Sequence, residues 1–399
     1  MSPQSSPASS PEPSRPADVL VAGAGISGLA CARALRESGV TVRVVDRGRR
    51  VGGRMSGRTL HGRPVDLGAS YFTVPEFAGA EPTGPESIGP DSARSDVTKA
   101  DFAVPRGSGF AEVVASWVDR GLARPWTDTF AAIDASRTSL GDAEGETESD
   151  ASGASGAAGR FPIATGPMRY AAGGGLRSLV ADLAEGLDVL TEHDVTRVND
   201  DGTVGGVLEG ATSSTTHGAI GGIRHRVVVL AMPEPQAARL LEPASPVHAH
   251  LDTSVWQPTI AVALGFGERV WPADLHGAFV ENSPVLTFVA DDGDRRGDGA
   301  PVLVAHTTAA FARAHLADPE SAVAEVQAEV ARVLGLGSVE PSWTHAHRWR
   351  FARAASTHPE PFVLLGGVAV CGDAWGGRSS VATAWASGDA LGRAIAARG

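Results

Sequence analysis

The sequence is poor in cysteine and almost without lysine. Cys31 and Cys371 are the only cysteines, and Lys99 is the only lysine among the 34 lysine and arginine residues. Two cysteines are too few for a disulfide framework or a cysteine-built metal site, so we predict no metal site and a reduced, cytoplasmic location. Arginine keeps its proton in proteins and cannot readily replace lysine as a base. Lysine chemistry is therefore nearly excluded.

Long apolar runs and basic patches are also lacking. No stretch approaches the ~20 consecutive apolar residues that a membrane span needs. The net charge is −12, and no dense basic run occurs, which argues against a nucleic-acid partner. Residues 1–16 are rich in serine and proline without an apolar segment, so we predict a disordered tail and not a signal peptide. We expect a small-molecule substrate, no membrane, and a monomer or weak homodimer.

The rest of the composition suits a folded chain of the α/β class. The 399 residues are 42 % hydrophobic, which is enough for two domains or for one large α/β domain with insertions. Two acidic segments rich in glycine and serine, residues 79–100 and 139–159, lack the apolar content to order themselves. We predict that both are disordered loops.

The beginning of the chain predicts a βαβ unit. Residues 18–23 read as a short buried strand, residues 27–38 as a helix, and residues 40–45 as a second strand buried on both faces. Two glycine-rich junctions near this unit and one near the end of the chain carry the functional signal.

The first junction has the pattern G-x-G-x-x-G at Gly23, Gly25 and Gly28, after a strand and at the start of a helix. The helix N-terminus supplies N–H groups and partial positive charge for phosphates. Asp46 ends the second strand, where its carboxylate can accept hydrogen bonds from an adenosine ribose and disfavours a 2′-phosphate. The alternative is a purely structural glycine turn, which both strands, the helix and Asp46 argue against.

The second junction favours FAD over NAD. Gly52, Gly53 and Arg54 follow Asp46 closely, and an NAD-binding domain needs no such glycine pair and arginine at this point. In a flavin site the pyrophosphate and ribityl chain extend along this loop, and Arg54 can neutralise phosphate charge. The alternative is a basic surface turn.

The third junction lies about 330 residues later. Residues 362–371 read as one strand, residues 372–380 as a glycine-rich turn, and residues 381–397 as a helix. Asp373 can bind cofactor hydroxyls, and the N-terminus of the helix can face the flavin edge where negative charge develops. Elsewhere the sequence predicts helices over FAEVVASWVDRGL within 107–126, over 175–187 and over 319–334, and strands over 227–232, 258–266, 277–281, 285–290 and 301–306.

The motifs together resemble the flavin amine oxidase superfamily, and within it the renalase-like branch. The segments that carry the resemblance are DVLVAGAGISGLACARAL, VVDRGRRVGGRM, DLGASYFTV, the spaced residues Phe110, Trp117, Gly121 and Trp126, Arg348-Trp349-Arg350, and CGDAWGGRSSVATAWASG. The resemblance implies non-covalent FAD, and an active site between an FAD-binding Rossmann-like parallel-sheet domain and a smaller α+β substrate domain. The predicted division gives the FAD domain residues 17–75, 165–240 and 351–399, and the substrate domain residues 76–164 and 241–350.

Motifs and resemblance together predict the site residues. The cofactor-binding set is Gly23, Gly25, Ile26, Ser27, Gly28, Asp46, Arg47, Gly53, Arg54, Met55, Gly68, Ala69, Val195, Gly372, Asp373 and Val381. Because the flavin itself accepts the hydride, aromatic and polar lining residues should dominate on the substrate side. Tyr71, Trp349 and Trp375 are the predicted catalytic residues.

The scarcity of lysine decides between branches. Many amine oxidases of the superfamily use a lysine that holds a water at the flavin, and Lys99 lies in a predicted loop. We therefore expect a renalase-like oxidoreductase that oxidises a dihydronicotinamide, an isomer of NAD(P)H, or a similar small electron-rich substrate. Hydride would pass to flavin N5, with oxygen as acceptor. The alternatives are an amine oxidase or desaturase of the same superfamily, and a non-catalytic FAD-binding protein.

Overall fold

The computed structural model describes residues 17–75, 109–137, 161–207 and 223–398. The predicted disordered segments 1–16, 79–100 and 139–159 lie outside the described residues, and so does Lys99.

The described residues contain nineteen strands. In chain order they are β1 Val19–Ala22, β2 Val42–Asp46, β3 Gly57–Leu60, β4 Arg63–Asp66, β5 Phe72–Thr73, β6 Arg124–Asp134, β7 Ile163–Ala171, β8 Asp188–Thr191, β9 Asp194–Val198, β10 Thr203–Val207, β11 Ile223–Arg224, β12 Val227–Leu230, β13 Trp256–Gly265, β14 Gly277–Glu281, β15 Leu286–Asp291, β16 Val302–Thr307, β17 Trp343–Ala354, β18 Val363–Leu365 and β19 Val368–Val370.

The α-helices of the described residues number eight. They are α1 Ile26–Glu37, α2 Gly109–Asp119, α3 Leu176–Ala184, α4 Glu234–Ala237, α5 Asp292–Arg296, α6 Ala309–Ala314, α7 Val323–Leu334 and α8 Val381–Ala396. The longest of them, α8, has 16 residues. Within the described ranges no helix is both long and apolar enough to span a bilayer.

A six-stranded sheet contains the predicted βαβ unit. Its strand order is β18-β19-β12-β1-β2-β8, and β1 pairs in parallel with both β12 and β2. All four residues of β1 and of β12 are buried, as expected for parallel strands covered on both faces. The Rossmann-like parallel sheet is thereby confirmed.

Helices α1 and α8 pack closely on each other, and glycines allow the approach. A Cβ atom at Gly388 would collide with the carbonyl oxygen of Ser27, and one at Gly392 would collide with that of Cys31. Both collisions would be with backbone, which cannot rotate away. The N-terminal helix of the βαβ unit therefore depends on a helix near the end of the chain for its packing.

The second large sheet is mixed and has eight strands, in the order β17-β13-β16-β15-β14-β6-β7-β5. Alternate residues of its strands face opposite sides. Ile260, Val262 and Val289 pack in one core with α7, whereas Ala261 and Ala263 pack on Val65 and Leu67 of the segment around β4. This second sheet agrees with the predicted two-domain arrangement. The predicted boundaries at 164/165 and 350/351 fall inside β7 and β17, so the detailed division stays a prediction.

Two local predictions differ from the structure, and some strands were not predicted. Residues 362–371 form an antiparallel pair, β18 and β19, because Gly366, at φ +57°, permits a tight turn between them. The helix predicted over FAEVVASWVDRGL, residues 110–122, ends three residues early at Asp119, and β6 begins at Arg124. The twelve-residue strand β17 was not predicted.

Candidate active site

The first glycine junction forms a tight passage from β1 into α1. Gly23 has φ +117°, a conformation that favours glycine, and a Cβ at Gly28 would collide with the carbonyl oxygen of Gly23. Helix α1 begins at Ile26 with no side-chain cap at Gly25 and no acidic residue in its first turn. Ser27 and Gly28 lie in that turn. The helix end is therefore suited to bind phosphate.

The second glycine junction faces the first across a narrow gap. A Cβ on Gly53 would lie 3.2 Å from the Cα of Gly25, and the N–H of Gly52 donates to the carbonyl of Ala24 at 2.9 Å. The two glycines therefore let the two loops approach each other backbone to backbone. Met55, in the same short turn as Gly53, is 3 % exposed and packs in the core behind it.

Asp46 organises the end of β2. Its carboxylate accepts hydrogen bonds from the N–H of Ala24 and the N–H of Gly48, both at 2.7 Å. The N–H of His193 donates to its backbone carbonyl at 2.9 Å, and the buried Val195 follows on β9. Each carboxylate oxygen keeps a second lone pair for a ligand. Arg47 is exposed in the turn after β2.

The third junction meets the second through an ion pair across 319 residues of sequence. Arg54 donates to Asp373 through both guanidinium ends, at 2.9 Å from Nη1, and Nη1 also donates to the carbonyl of Ala352 at 3.1 Å. Ser379 also donates to Asp373. The charge that sequence analysis assigned to phosphate is thus neutralised by a carboxylate in this structure.

The neighbours of Asp373 on either side keep the junction open. Gly372, at φ +156°, has no atom within 4 Å of a virtual Cβ, and its N–H donates to Ser387 at 3.0 Å. Val381 opens α8, which Ser380 caps through the N–H of Thr383 at 3.0 Å.

The segment after β4 packs directly on Arg54. The N–H of Ala69 donates to the carbonyl of Arg54 at 3.0 Å, and Gly68 leaves no room for a Cβ beside that carbonyl. The indole N–H of Trp349, on β17, donates to the carbonyl of Leu67 at 2.7 Å. The structure therefore brings Trp349 next to predicted cofactor residues that lie some 280 residues earlier.

Tyr71 belongs to an aromatic cluster on the eight-stranded sheet, which we call the Tyr71 cluster. Its ring centroid lies 5.4 Å from Phe130, 6.2 Å from Phe288 and 6.4 Å from Trp126. The guanidinium carbon of Arg169 stands 3.9 Å from the Phe130 ring centroid and 5.5 Å from that of Tyr71. Phe130, Phe288 and Arg169 were not predicted, because they come from three strands without a shared motif.

Trp375 lies outside the Tyr71 cluster. It is 3 % exposed and stacks on His358 with ring centroids 3.9 Å apart. His358 contacts Glu234 at 2.7 Å, and the indole N–H of Trp256 donates to the same carboxylate at 3.1 Å. Trp375 therefore packs in the core with Trp256 and not in the Tyr71 cluster, and its substrate-side role stays a prediction.

A buried ionic network ties the two halves of the molecule together. Arg295, 1 % exposed, donates to Asp66 at 3.0 Å, to the carbonyl of Ser70 at 2.6 Å, and to Asp292. Arg296 pairs with both carboxylates as well. Burial lowers the pKa of Arg295 to about 10, so it is charged at neutral pH. The network fixes the backbone just before Tyr71, and no sequence motif predicted it.

His306 pairs with Phe288 on neighbouring strands of the eight-stranded sheet, and the two ring centroids lie 5.8 Å apart. Burial, and then the charge of Arg295, lowers its pKa to about 4, although the backbone of Leu67 opposes this. The ring is therefore uncharged at neutral pH. It can exchange hydrogen bonds with a bound molecule but adds no positive charge.

Comparison with known families fits this geometry. Residues 21–80 match the sequence model of an NAD(P)-binding Rossmann-like domain. Residues 127–395, about two thirds of the chain, match that of the flavin containing amine oxidoreductases. The chain belongs to this family. As a flavin containing amine oxidoreductase it is an FAD-dependent enzyme, which sets aside the non-catalytic alternative.

Solved structures with this fold cover nearly the whole oxidoreductase. A putrescine oxidase bound to putrescine aligns over 96 % of this chain and 99 % of its own, at 18 % identity and a TM-score of 0.59. A protein named as a protoporphyrinogen oxidase, from Exiguobacterium sp. 255-15, aligns over the same shares at 12 % identity and 0.62. Cyclohexylamine oxidase from Brevibacterium oxydans IH-35A does so at 17 % and 0.56. At these identities the likeness shows the fold.

The residues of this oxidoreductase fit the flavin cofactor of the family. Gly25 and Gly53 let the two loops that the glycine motifs assign to the pyrophosphate approach each other closely, because a Cβ on Gly53 would lie 3.2 Å from the Cα of Gly25. Two buried polar atoms near the junctions, Ser70 Oγ and Trp375 Nε1, have no hydrogen-bond partner among the described residues. Such atoms are costly unless a ligand or water satisfies them.

Proposed function

We propose that this enzyme oxidises a small, flat, electron-rich ring of the dihydronicotinamide type, with molecular oxygen as the final acceptor. The observation that supports this proposal is the Tyr71 cluster, in which the rings of Tyr71 and Phe130 lie beside the guanidinium of Arg169. Flat rings stack favourably on such faces. A protonated amine would meet the positive charge of Arg169 instead. Asp294, whose carboxylate contacts Trp126 at 2.6 Å, is already paired with His276.

The residues present suit a reaction with little proton transfer. Bound FAD supplies the electron acceptor. Tyr71 and Trp349 would line and orient the substrate ring beside it, and Arg295 would hold the Ser70 carbonyl that sets the backbone before Tyr71. The chain contributes no lysine besides Lys99. Oxidising a dihydronicotinamide removes a hydride and needs no base to deprotonate the substrate.

We infer that FAD is held without a covalent bond. Cys31 and Cys371 are both buried, and burial raises the pKa of the Cys371 thiol to about 12. Cys371 also accepts a hydrogen bond from Ser27 at 3.2 Å, inside the packed junction of β19 and α1. A thiol held there as the neutral form is a poor nucleophile towards a flavin. Acid precipitation should therefore release all the FAD into the supernatant.

The deciding experiment is anaerobic stopped-flow mixing of the FAD-loaded enzyme with candidate reductants. Flavin absorbance near roughly 450 nm should bleach rapidly with a dihydronicotinamide isomer and hardly at all with benzylamine or putrescine. Fast bleaching by an amine, with none by any dihydronicotinamide, would reverse the proposal.

Amine oxidation is the second candidate, favoured by family membership and by fold relatives that are named for amines. Lys99→Met separates the two candidates. If Lys99 holds a catalytic water, the substitution should slow flavin reduction on the ~10²–10⁴-fold scale of acid–base groups. Under our proposal the rate with dihydronicotinamide stays nearly unchanged.

A further inference from the structure

Among the described residues, the buried side chain of Arg169 has no polar partner. It is 6 % exposed, and its Nε and Nη1 atoms form no hydrogen bond. Across residues 17–75, 109–137, 161–207 and 223–398, no carboxylate pairs with its side chain. Its neighbours are aromatic: Phe130 and Tyr71 flank the guanidinium.

Two other buried arginines differ from Arg169 because each has carboxylate partners. Arg295 and Arg296 are as deeply buried, and each pairs with both Asp66 and Asp292. Burying an arginine without an opposite charge is strongly unfavourable. Ring faces compensate part of that cost, but they leave the N–H groups unsatisfied. A ligand that supplies the missing negative charge would satisfy them.

Arg169 lies near the surface of the described residues. It lies on β7 beside β5, whose Thr73 pairs with it two residues after Tyr71. Phe279, at the outer edge of the aromatic cluster, is 41 % exposed. The cluster therefore runs from the described surface inward to the segment that packs on Arg54.

We propose that Arg169 binds an anionic group, a carboxylate or a phosphate, carried by the substrate whose ring stacks at Tyr71. This rests on the proposed function for the choice of ring, but the anion preference is a separate property. The planar guanidinium offers two parallel N–H donors that match either group. Uncharged analogues of the same ring would bind more weakly.

Binding of two matched pairs of probes to the FAD-loaded enzyme tests this without turnover. Nicotinate and nicotinamide differ in a carboxylate against a carboxamide, and nicotinamide mononucleotide and nicotinamide riboside differ in a phosphate. Dissociation constants come from the perturbation of the flavin absorption spectrum. We expect the anionic member of at least one pair to bind about 10–100-fold more tightly. The pair that shows the preference identifies the anion.

Arg169→Met should abolish the preference and leave the affinity for nicotinamide, which is uncharged, within about twofold. Because methionine fills the space without a buried charge, FAD content should persist. Arg169→Lys keeps the charge and should retain part of the preference, which guards against a folding defect in the first variant. Arg137→Met, at a side chain that is 87 % exposed, is the control for the loss of one positive charge.

Equal binding within both pairs in the wild type would overturn the proposal, and so would a preference that survives in Arg169→Met. The proposed function can fail separately. If dihydronicotinamides do not reduce the flavin but nicotinate binding depends on Arg169, the anion site stands and the substrate ring is a different one.

Discussion

Replacing Arg295 by methionine should destabilise the protein through the ionic network and not through packing. The two side chains have similar length, so the cavity left behind is small. The substitution removes the ion pair with Asp66 at 3.0 Å, the pair with Asp292, and the hydrogen bond to the Ser70 carbonyl at 2.6 Å. Both carboxylates are nearly inaccessible, with side chains 3 % and 0 % exposed.

The magnitude follows from the charge balance. Arg63, Arg295 and Arg296 face Asp66, Asp292 and Asp298, three charges of each sign. Arg295→Met leaves one buried negative charge in excess. Breaking a buried pair in this way costs about 3–5 kcal/mol. For domains of 150–250 residues that corresponds to a fall in Tm of roughly 6–20 °C, and this larger chain should lie at the lower end.

Thermal and urea unfolding at saturating FAD measure the effect, because a bound cofactor otherwise shifts the apparent stability. The control is Arg393→Met, which breaks an exposed pair with Asp389 and should cost no more than about 0.5 kcal/mol. If Arg295→Met lowers Tm by no more than this control does, the network does not stabilise the fold and our reasoning is refuted.

Three further changes test other parts of the structure. Asp46→Ala should raise the FAD dissociation constant about 5–150-fold, or 1–3 kcal/mol, in a fluorescence titration, and an unchanged constant would place Asp46 away from the cofactor. Gly388→Ala should cost about 1–3 kcal/mol by forcing α8 off α1, whereas Gly267→Ala, with only Ser342 nearby, should be mild in the same urea titration. Because the folded pKa of His306, about 4, lies below its ordinary value of 6.5, the unfolded chain binds the proton first. Stability should therefore fall by up to about 3 kcal/mol as pH drops from 6.5 to 4, and Tm measured against pH should fall less steeply in His306→Gln.

Local features of the fold were predictable from the sequence. Periodicity placed β1, α1 and β2 within two residues of their bounds, because a βαβ unit is determined by neighbouring residues. Strand β14 was predicted at its observed bounds for the same reason. The hairpin of β18 and β19 was missed because Gly366 and Gly367 stand inside an otherwise apolar run, where a bulge or a turn gives the same pattern.

Long-range features were not predictable. Nothing in the sequence near Arg54 indicates that Asp373 will neutralise it, since the pair exists only once the two junctions meet. The Tyr71 cluster likewise depends on the register of β5, β6 and β7 in the second sheet. Arg169 has no motif around it, and its lack of a partner among the described residues is a property of the assembled site.

The cofactor-binding residues can come together only after the last part of the chain has been synthesised. Strand β1 lies between β12 and β2, and β12 gains its other neighbour, β19, only near residue 370. Helix α1 is likewise covered only when α8 packs on it through Gly388. Until then the nascent chain carries an open strand edge and a bare helix face, both prone to association with other chains. FAD should therefore bind late in folding, once α8 has docked, and a refolding chain should acquire flavin and its last helix together.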